Sequence, residues 1–123
     1  MTISKILKQK KTLLSFEVFP PKQQANFENT VNAAKELCNL NPDFISVTYG
    51  AGGTTRENTV EIASKILSFG TPALAHLTCV GNTIDEAKNI ISQMKKNKIE
   101  NVLALRGDIP QGIPNPLSNE LDH

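Results

Sequence analysis

The sequence has no excess of charge of either sign and no long hydrophobic run. Its 13 lysine and arginine residues stand against 12 aspartate and glutamate residues, whereas a nucleic-acid or membrane surface requires a basic excess. Its apolar runs are too short to cross a bilayer, and no apolar segment of a signal peptide follows the basic N-terminus. We therefore expect neither a nucleic-acid nor a membrane partner.

Cysteine and histidine are also scarce. The two cysteines, Cys38 and Cys79, lie far apart in the sequence, which favours reduced thiols in a cytoplasmic protein over a disulfide framework. His76 and Cys79 could each ligate a metal, but the pattern offers no third ligand, so we predict no metal site. A nucleophilic triad is equally unsupported, because the second histidine, His123, is the terminal residue.

What the sequence does contain is a short, mostly apolar segment that recurs four times. The segments cover residues 13–18, 44–48, 73–77 and 102–105, and their starts lie 31, 29 and 29 residues apart. This interval is the length of a βα unit. Mostly apolar segments are typical of strands buried on both faces of a parallel sheet, so the sequence predicts four such strands.

Helical patterns fill the intervals between these segments. Apolar residues recur at helical spacing between residues 27 and 38. Two capping-box patterns, Thr-x-x-Glu at residues 54–57 and 83–86, predict the starts of two further helices, the first of which should end at Gly70. A short helix is also predicted over residues 3–10.

The regular alternation of strands and helices predicts an α/β fold with a parallel sheet. Two architectures fit this pattern. One is a flavodoxin-like doubly wound sheet, and the other is the first half of an eight-stranded barrel, which needs about 250 residues when complete. Periodicity alone does not choose between them.

Polar or glycine-rich residues follow each predicted strand, at the end where parallel α/β folds hold their active sites. The first strand carries Glu17, and the third carries His76, although a lone histidine on an apolar strand is more often a core residue than a ligand. The other strand ends carry Thr48-Tyr49-Gly50-Ala51-Gly52-Gly53 and Arg106-Gly107-Asp108. Convergence of four polar strand ends on one rim favours a shared site over four unrelated features.

Each candidate also has a purely structural interpretation. Glu17 lies in an otherwise apolar strand, so we expect it to be buried and either to act as a general acid or to pair with Lys22 or Arg106. The glycine-rich segment after the second strand lacks the third glycine of a dinucleotide fingerprint and taken alone is more typical of a turn. Arg106 and Asp108 could contact a ligand or form salt bridges.

Four segments at these strand ends resemble methylenetetrahydrofolate reductases. They are SFEVFPPK at residues 15–22, SVTYGA at 46–51, AHLTC at 75–79 and LALRGDIP at 103–110. All four follow one another in the order of that family. The resemblance implies the first half, about four βα units, of a (β/α)₈ TIM barrel that contains FAD. Such a barrel reduces 5,10-methylenetetrahydrofolate to 5-methyltetrahydrofolate with NADH or NADPH, in one-carbon metabolism and methionine biosynthesis.

The resemblance also implies roles for individual residues. Glu17 matches the general acid that protonates the folate, and Asp108 matches a carboxylate that contacts the pterin and lies near the flavin. The positions that match the lining of the flavin and nicotinamide pocket are Thr48, Tyr49, Ala51, His76, Arg106, Gly107 and Asp108.

The length of the chain sets a further expectation. A complete barrel needs about 250 residues, whereas this sequence has 123. We expect residues 1–110 to form the first half of the barrel and residues 111–123 a polar loop. We also expect the chain to lack flavin and activity when alone, and to form a homo-oligomer or pair with a complementary fragment. Two alternatives stay open, a degenerate half-barrel with only a structural role and a small flavodoxin-like binding module.

Overall fold

The computed structural model describes residues 2–10, 12–49 and 53–107, without the side chains of residues 53–57. Within these residues, helices alternate with strands, as the sequence pattern predicts. The elements are α1 (Ile3–Gln9), β1 (Ser15–Val18), a 3₁₀ turn (Gln24–Asn26), α2 (Phe27–Cys38), β2 (Phe44–Val47), α3 (Gly53–Ser68), β3 (Ala73–Thr78), α4 (Ile84–Lys96) and β4 (Asn101–Leu105). The predicted polar loop at 111–123 lies outside the described residues. No helix in the described part of the chain is long and apolar enough to cross a membrane.

The four strands form one parallel sheet in the order β1-β2-β3-β4. A flavodoxin-like sheet would instead place β1 between β2 and β3. Consecutive order without a reversal is the order of strands in a (β/α)₈ barrel. The fold is therefore the half-barrel expected from the family resemblance, and the flavodoxin-like alternative is wrong.

One face of the sheet carries the hydrophobic core. Side chains alternate between faces along a strand, and in β3 the buried positions are Ala73, Ala75 and Leu77. These residues pack with buried residues of β1 and β2 and with the apolar sides of α2 and α3. The buried residues of α2 are Phe27, Val31, Ala34 and Cys38, the four that the helical spacing predicts.

The opposite face of the sheet is partly open, which corrects the expectation of strands buried on both faces. The Glu17 side chain is 48% exposed, so the prediction that it is buried is wrong. Along β4, Leu103 and Leu105 are 40% and 39% exposed. The physical reason is that the described helices cover the sheet from one side, whereas a closed barrel would cover the other side with its remaining strands.

Of the two predicted capping boxes, the hydroxyl bond of one is observed, and the other lies outside the described side chains. The Thr83 hydroxyl accepts a hydrogen bond from the Glu86 amide at 3.1 Å, and α4 begins at the next residue, Ile84. The other predicted capping box belongs to α3. This helix begins at Gly53, one residue before the predicted cap Thr54, and its first side chains are not described.

Helix α1 joins the amino-terminal ends of the strands. Its first residue, Ile3, donates its amide to Asn101 Oδ1 at 2.9 Å at the start of β4. After its last turn, Lys10 Nζ lies 2.5 Å from Asp43 Oδ1, just before β2. The second Asp43 oxygen accepts from the Leu14 amide at 2.9 Å. The Lys10 hydrogen bond and then the Leu14 amide lower the pKa of Asp43 below its ordinary value.

Three glycines in the described part of the chain adopt a left-handed backbone, and two of them bear on the fold: φ is +92° at Gly70 and +88° at Gly107. Gly70 follows α3, where it ends the helix as predicted, and nothing would meet a side chain there. Gly107 directly follows Arg106, whose carbonyl accepts a hydrogen bond from the Val80 amide at 2.8 Å. A Cβ at Gly107 would overlap the Thr78 methyl group, so the chain after β4 runs very close to the end of β3.

We predict that Asp43→Asn destabilises the protein at neutral pH and does so less in acid. Because the folded pKa of Asp43 is depressed, its contribution is present above the unfolded pKa, 3.8 for an ordinary aspartate, and is lost as pH falls through the folded pKa. Asparagine keeps an acceptor for the Leu14 amide and removes the charge together with the acceptor for Lys10. Urea unfolding at neutral pH and at about pH 3 measures the difference. Glu36→Gln, an exposed carboxylate on α2, is the control, and an Asp43→Asn effect independent of pH would contradict the prediction.

We predict that Gly107→Ala loses more stability than Gly70→Ala. Both substitutions place alanine at a positive φ, but only residue 107 also meets Thr78, an overlap that should add about 1–3 kcal/mol. The free energy of unfolding of both variants measures this difference, with Gly70→Ala as the control for backbone strain alone. Equal losses would show that Thr78 moves aside without strain.

Candidate active site

Two side chains on the open face of the sheet, Ser46 and His76, approach the same carboxylate oxygen of Glu17. In the parallel register of β1 and β2, Glu17 lies directly beside Ser46. Ser46 Oγ donates a hydrogen bond to Glu17 Oε1 at 3.3 Å. From β3, His76 Nε2 lies 3.8 Å from the same oxygen, and the His76 side chain is only 12% exposed. We call Glu17, Ser46 and His76 the carboxylate cluster.

The carboxylate cluster holds Glu17 on one side and leaves it open on the other. Ser46 is buried, so its hydroxyl has little access to water and is available to the carboxylate. A separation of 3.8 Å is too long for a direct hydrogen bond between His76 and Glu17, and the two side chains form an ion pair only when the imidazole carries a proton. Glu17 pairs with neither Lys22 nor Arg106 in the described part of the chain. The half-exposed carboxyl can exchange a proton with a ligand above the sheet.

Thr48 and Tyr49 follow β2 at the rim of the sheet. The Thr48 backbone is fixed from two sides: its amide donates to Val18 O at 3.1 Å, and its carbonyl accepts from Thr59 Oγ1 at 2.9 Å. Thr59 is fully buried on α3. Tyr49 is half-buried and packs against the core. These contacts place both residues at the carboxyl end of the strands, as predicted from the sequence.

Arg106 and Gly107 follow β4 at the same end of the sheet. Hydrogen bonds from Cys79 N to Leu105 O and from Val80 N to Arg106 O, both 2.8 Å, extend the β3–β4 pairing past the strands. Arg106 is exposed, so its guanidinium is accessible to a ligand. The predicted site residues Ala51 and Asp108 lie outside the described residues. Across residues 2–10, 12–49 and 53–107, no group of three or more histidine, cysteine or acidic side chains could hold a metal ion.

Sequence reasoning missed two residues that contact the predicted ones. Ser46 lies within the apolar second strand, and only the register with β1 shows that it meets Glu17. Asn82 precedes the Thr83 cap, and its side-chain amide donates to the Tyr49 hydroxyl at 3.1 Å. A register prediction from the repeat interval could have found Ser46, whereas nothing in the sequence pattern indicates the contact of Asn82.

Comparison with known proteins extends this description. The family model of methylenetetrahydrofolate reductase matches residues 2–121. The chain is 39% identical over 111 residues to methylenetetrahydrofolate reductase (NADH) 1 of Arabidopsis thaliana, which covers 89% of this chain and 19% of that protein. It is 39% identical over 104 residues to 5,10-methylenetetrahydrofolate reductase of Escherichia coli K12, and the aligned residues make up 84% of this chain and 35% of that protein.

A third relative, 5,10-methylenetetrahydrofolate reductase of Buchnera aphidicola, is 41% identical over 95 residues, which is 76% of this chain and 32% of that protein. The chain thus spans about a third or less of the length of these curated relatives. The family model covers nearly the whole chain, including all four strand ends at which the candidate site residues lie. On this match, the chain belongs to the methylenetetrahydrofolate reductase family.

Proposed function

We propose that this chain supplies the first four βα units of a cytoplasmic, FAD-dependent reductase. The enzyme converts 5,10-methylenetetrahydrofolate to 5-methyltetrahydrofolate with NADH or NADPH, for one-carbon metabolism and methionine biosynthesis. The observation that carries the proposal is the carboxylate cluster, because it places a held but accessible carboxyl group at the strand-end rim of a barrel of this family. The Arabidopsis relative is named for NADH, which favours NADH as the reductant here.

The described residues fit a flavin at this rim. The rim carries the Thr48 hydroxyl, the His76 imidazole and the Arg106 guanidinium, groups that can contact ring heteroatoms and phosphates. Gly107 lies at the same rim, where the Thr78 methyl group occupies the space that a Cβ would need, so only the backbone of Gly107 could contact the cofactor. With Tyr49, and with Ala51 and Asp108 outside the described residues, these side chains would hold the cofactor. The flavin would supply hydride transfer between nicotinamide and folate.

Glu17 is the proton donor to the folate in this proposal. The Ser46 hydroxyl restrains one oxygen of the carboxyl group, so the group is presented in one orientation. Proton transfer to a folate nitrogen opens the ring that bridges two nitrogens and makes the one-carbon group ready to accept hydride. The His76 imidazole lies 3.8 Å from the same oxygen. Asp108 would contact the pterin, by its match to the family.

A second candidate function, a half-barrel with only a structural role, is favoured by the open sheet edge. In the described chain, β4 is an edge strand on which Val102 and Leu103 are 43% and 40% exposed. Such an edge invites pairing with another chain, either a second copy or a complementary fragment. The two candidates differ in whether the paired form binds flavin.

We predict that the 123-residue chain alone does not retain flavin and that completing the barrel restores it. The physical reason is that four strand ends form only half of the rim. The experiment compares the chain alone with a chimera in which it replaces the matched segment of the Escherichia coli relative. The chimera should show a stoichiometric flavin absorbance spectrum and NADH-dependent folate reduction. An isolated chain that retains flavin would contradict the prediction that the barrel must be completed. A folded chimera without flavin would favour the structural role.

We predict that Glu17→Gln in the completed protein abolishes folate reduction and spares the reduction of flavin by NADH. Glutamine keeps the shape and the hydrogen bond to Ser46 but cannot donate a proton as an acid, so the folate half-reaction should fall about 10²–10⁴-fold. Stopped-flow absorbance of the flavin measures each half-reaction separately. Glu36→Gln on the surface of α2 is the matched control. An equal fall in both half-reactions would disprove the general-acid role.

A further inference from the structure

We infer that Asn82 is a positioning residue for this site, because its side-chain amide holds the Tyr49 hydroxyl at the rim and so fixes the wall against which a planar ring ligand binds. The inference rests on the proposed function, in which Tyr49 lines the flavin and nicotinamide pocket. Neither the family resemblance nor the strand-end pattern assigns a role to Asn82.

The Asn82 amide joins two loops that are distant in the sequence. Its Nδ2 donates to the Thr78 carbonyl at 2.7 Å and to the Tyr49 hydroxyl at 3.1 Å. Thr78 is the last residue of β3, four residues before Asn82, whereas Tyr49 follows β2 and is 33 residues away. Because a carbonyl oxygen can only accept, the amide nitrogen must face this side. The side chain therefore links the end of β2 to the β3–α4 loop.

The β3–α4 loop is also held by hydrogen bonds other than the one from Asn82 to Tyr49. The backbone amide of Asn82 already donates to Cys79 O at 3.2 Å, which closes the turn. Cys79 and Val80 are fixed to β4 by two backbone hydrogen bonds, and Thr83 caps α4. With the loop held in this way, the bond from Asn82 to Tyr49 acts mainly on Tyr49.

The oxygen atom of the Asn82 amide supports the positioning role. Asn82 Oδ1 is buried and accepts no hydrogen bond from the part of the chain that the structure describes. A buried acceptor without a partner is unfavourable, and rotating the amide would set its oxygen against the Thr78 carbonyl. The amide is therefore oriented so that it donates two hydrogen bonds, while its oxygen accepts none from the described residues. Local violations of this kind are expected where a site, rather than stability, determines the residue.

Tyr49 reports on this contact directly. It is the single tyrosine of a sequence that contains no tryptophan. Its near-ultraviolet circular dichroism and fluorescence anisotropy therefore describe this one ring. The 123-residue chain can thus reveal whether Asn82 holds Tyr49 before any ligand is added, which separates the contact itself from the proposed function.

The experiment compares Asn82→Ala and Asn82→Leu with Asn97→Ala. Leucine keeps the approximate size of the side chain but can neither donate nor accept a hydrogen bond. Asn97 is a matched control, because its Nδ2 donates to the Gln93 carbonyl at 2.8 Å, four residues earlier, as Asn82 does to Thr78. Both Asn82 variants should weaken the tyrosine dichroism and lower its anisotropy, with far-ultraviolet dichroism unchanged. Asn97→Ala should leave the tyrosine signals unchanged.

Ligand binding is measured in the chimera with the Escherichia coli relative. Both Asn82 variants should raise the Kd for FAD or the KM for NADH about 3- to 10-fold, the size of effect that one lost hydrogen bond produces. Titration of apoprotein with FAD and steady-state kinetics with NADH identify which ring is affected. Tyr49→Phe should have the same effect, and combining it with Asn82→Ala should add nothing further.

Three results would contradict, in turn, the contact, the positioning role and the proposed function. Unchanged tyrosine signals in both Asn82 variants would disprove the contact. Altered signals with unchanged Kd and KM, or independent effects of Tyr49→Phe and Asn82→Ala, would disprove the positioning role while the proposed function stands. A chimera with wild-type Asn82 that binds neither FAD nor NADH would overturn the proposed function and this inference with it.

Discussion

The parallel pairing of β1 with β2 is the constraint on which the site depends. It sets Glu17 beside Ser46 on the face of the sheet that the described helices leave open. Because side chains alternate along a strand, a slip by one residue would turn Glu17 toward the core and Val18 toward the open face. Val18 is buried against α2, so the apolar core fixes the register. The position of the carboxylate is thus a consequence of hydrophobic packing on the other side of the sheet.

The two ends of the sheet have separate tasks. At the amino-terminal end, α1 is tied to β4 through Asn101 and to the start of β2 through Asp43, and the contacts there hold the strands together. At the carboxyl end lie the carboxylate cluster and Tyr49. Barrels divide stability and chemistry between their ends in the same way, because loops at one end can vary while the other end secures the strands. A substitution at Asp43 therefore bears on unfolding, whereas one at Ser46 bears on the carboxylate.

The sequence allowed the element order and the strand-end rim to be predicted, because both follow from local periodicity. It did not allow the surroundings of Glu17 to be predicted. An apolar strand indicates burial but not which face the helices cover, and Glu17 proved half-exposed. Its contacts with Ser46 and His76 depend on the pairing of strands distant in the sequence, which no local pattern encodes. Asn82 was missed for the same reason, since its contact with Tyr49 crosses between two loops.

The open face of the sheet carries both exposed apolar side chains and the polar groups of the candidate site. It carries polar groups at Glu17 and His76 but also Leu103 and Leu105, which are about two-fifths exposed. Apolar side chains along an edge strand are stabilised when further strands cover them. A carboxylate on the same face is useful only if that covering leaves space above it, because a fully dry and filled interior would exclude the ligand. In the proposed complete barrel, both requirements would be met, because further strands would bury the leucines while a ligand would occupy the space above Glu17.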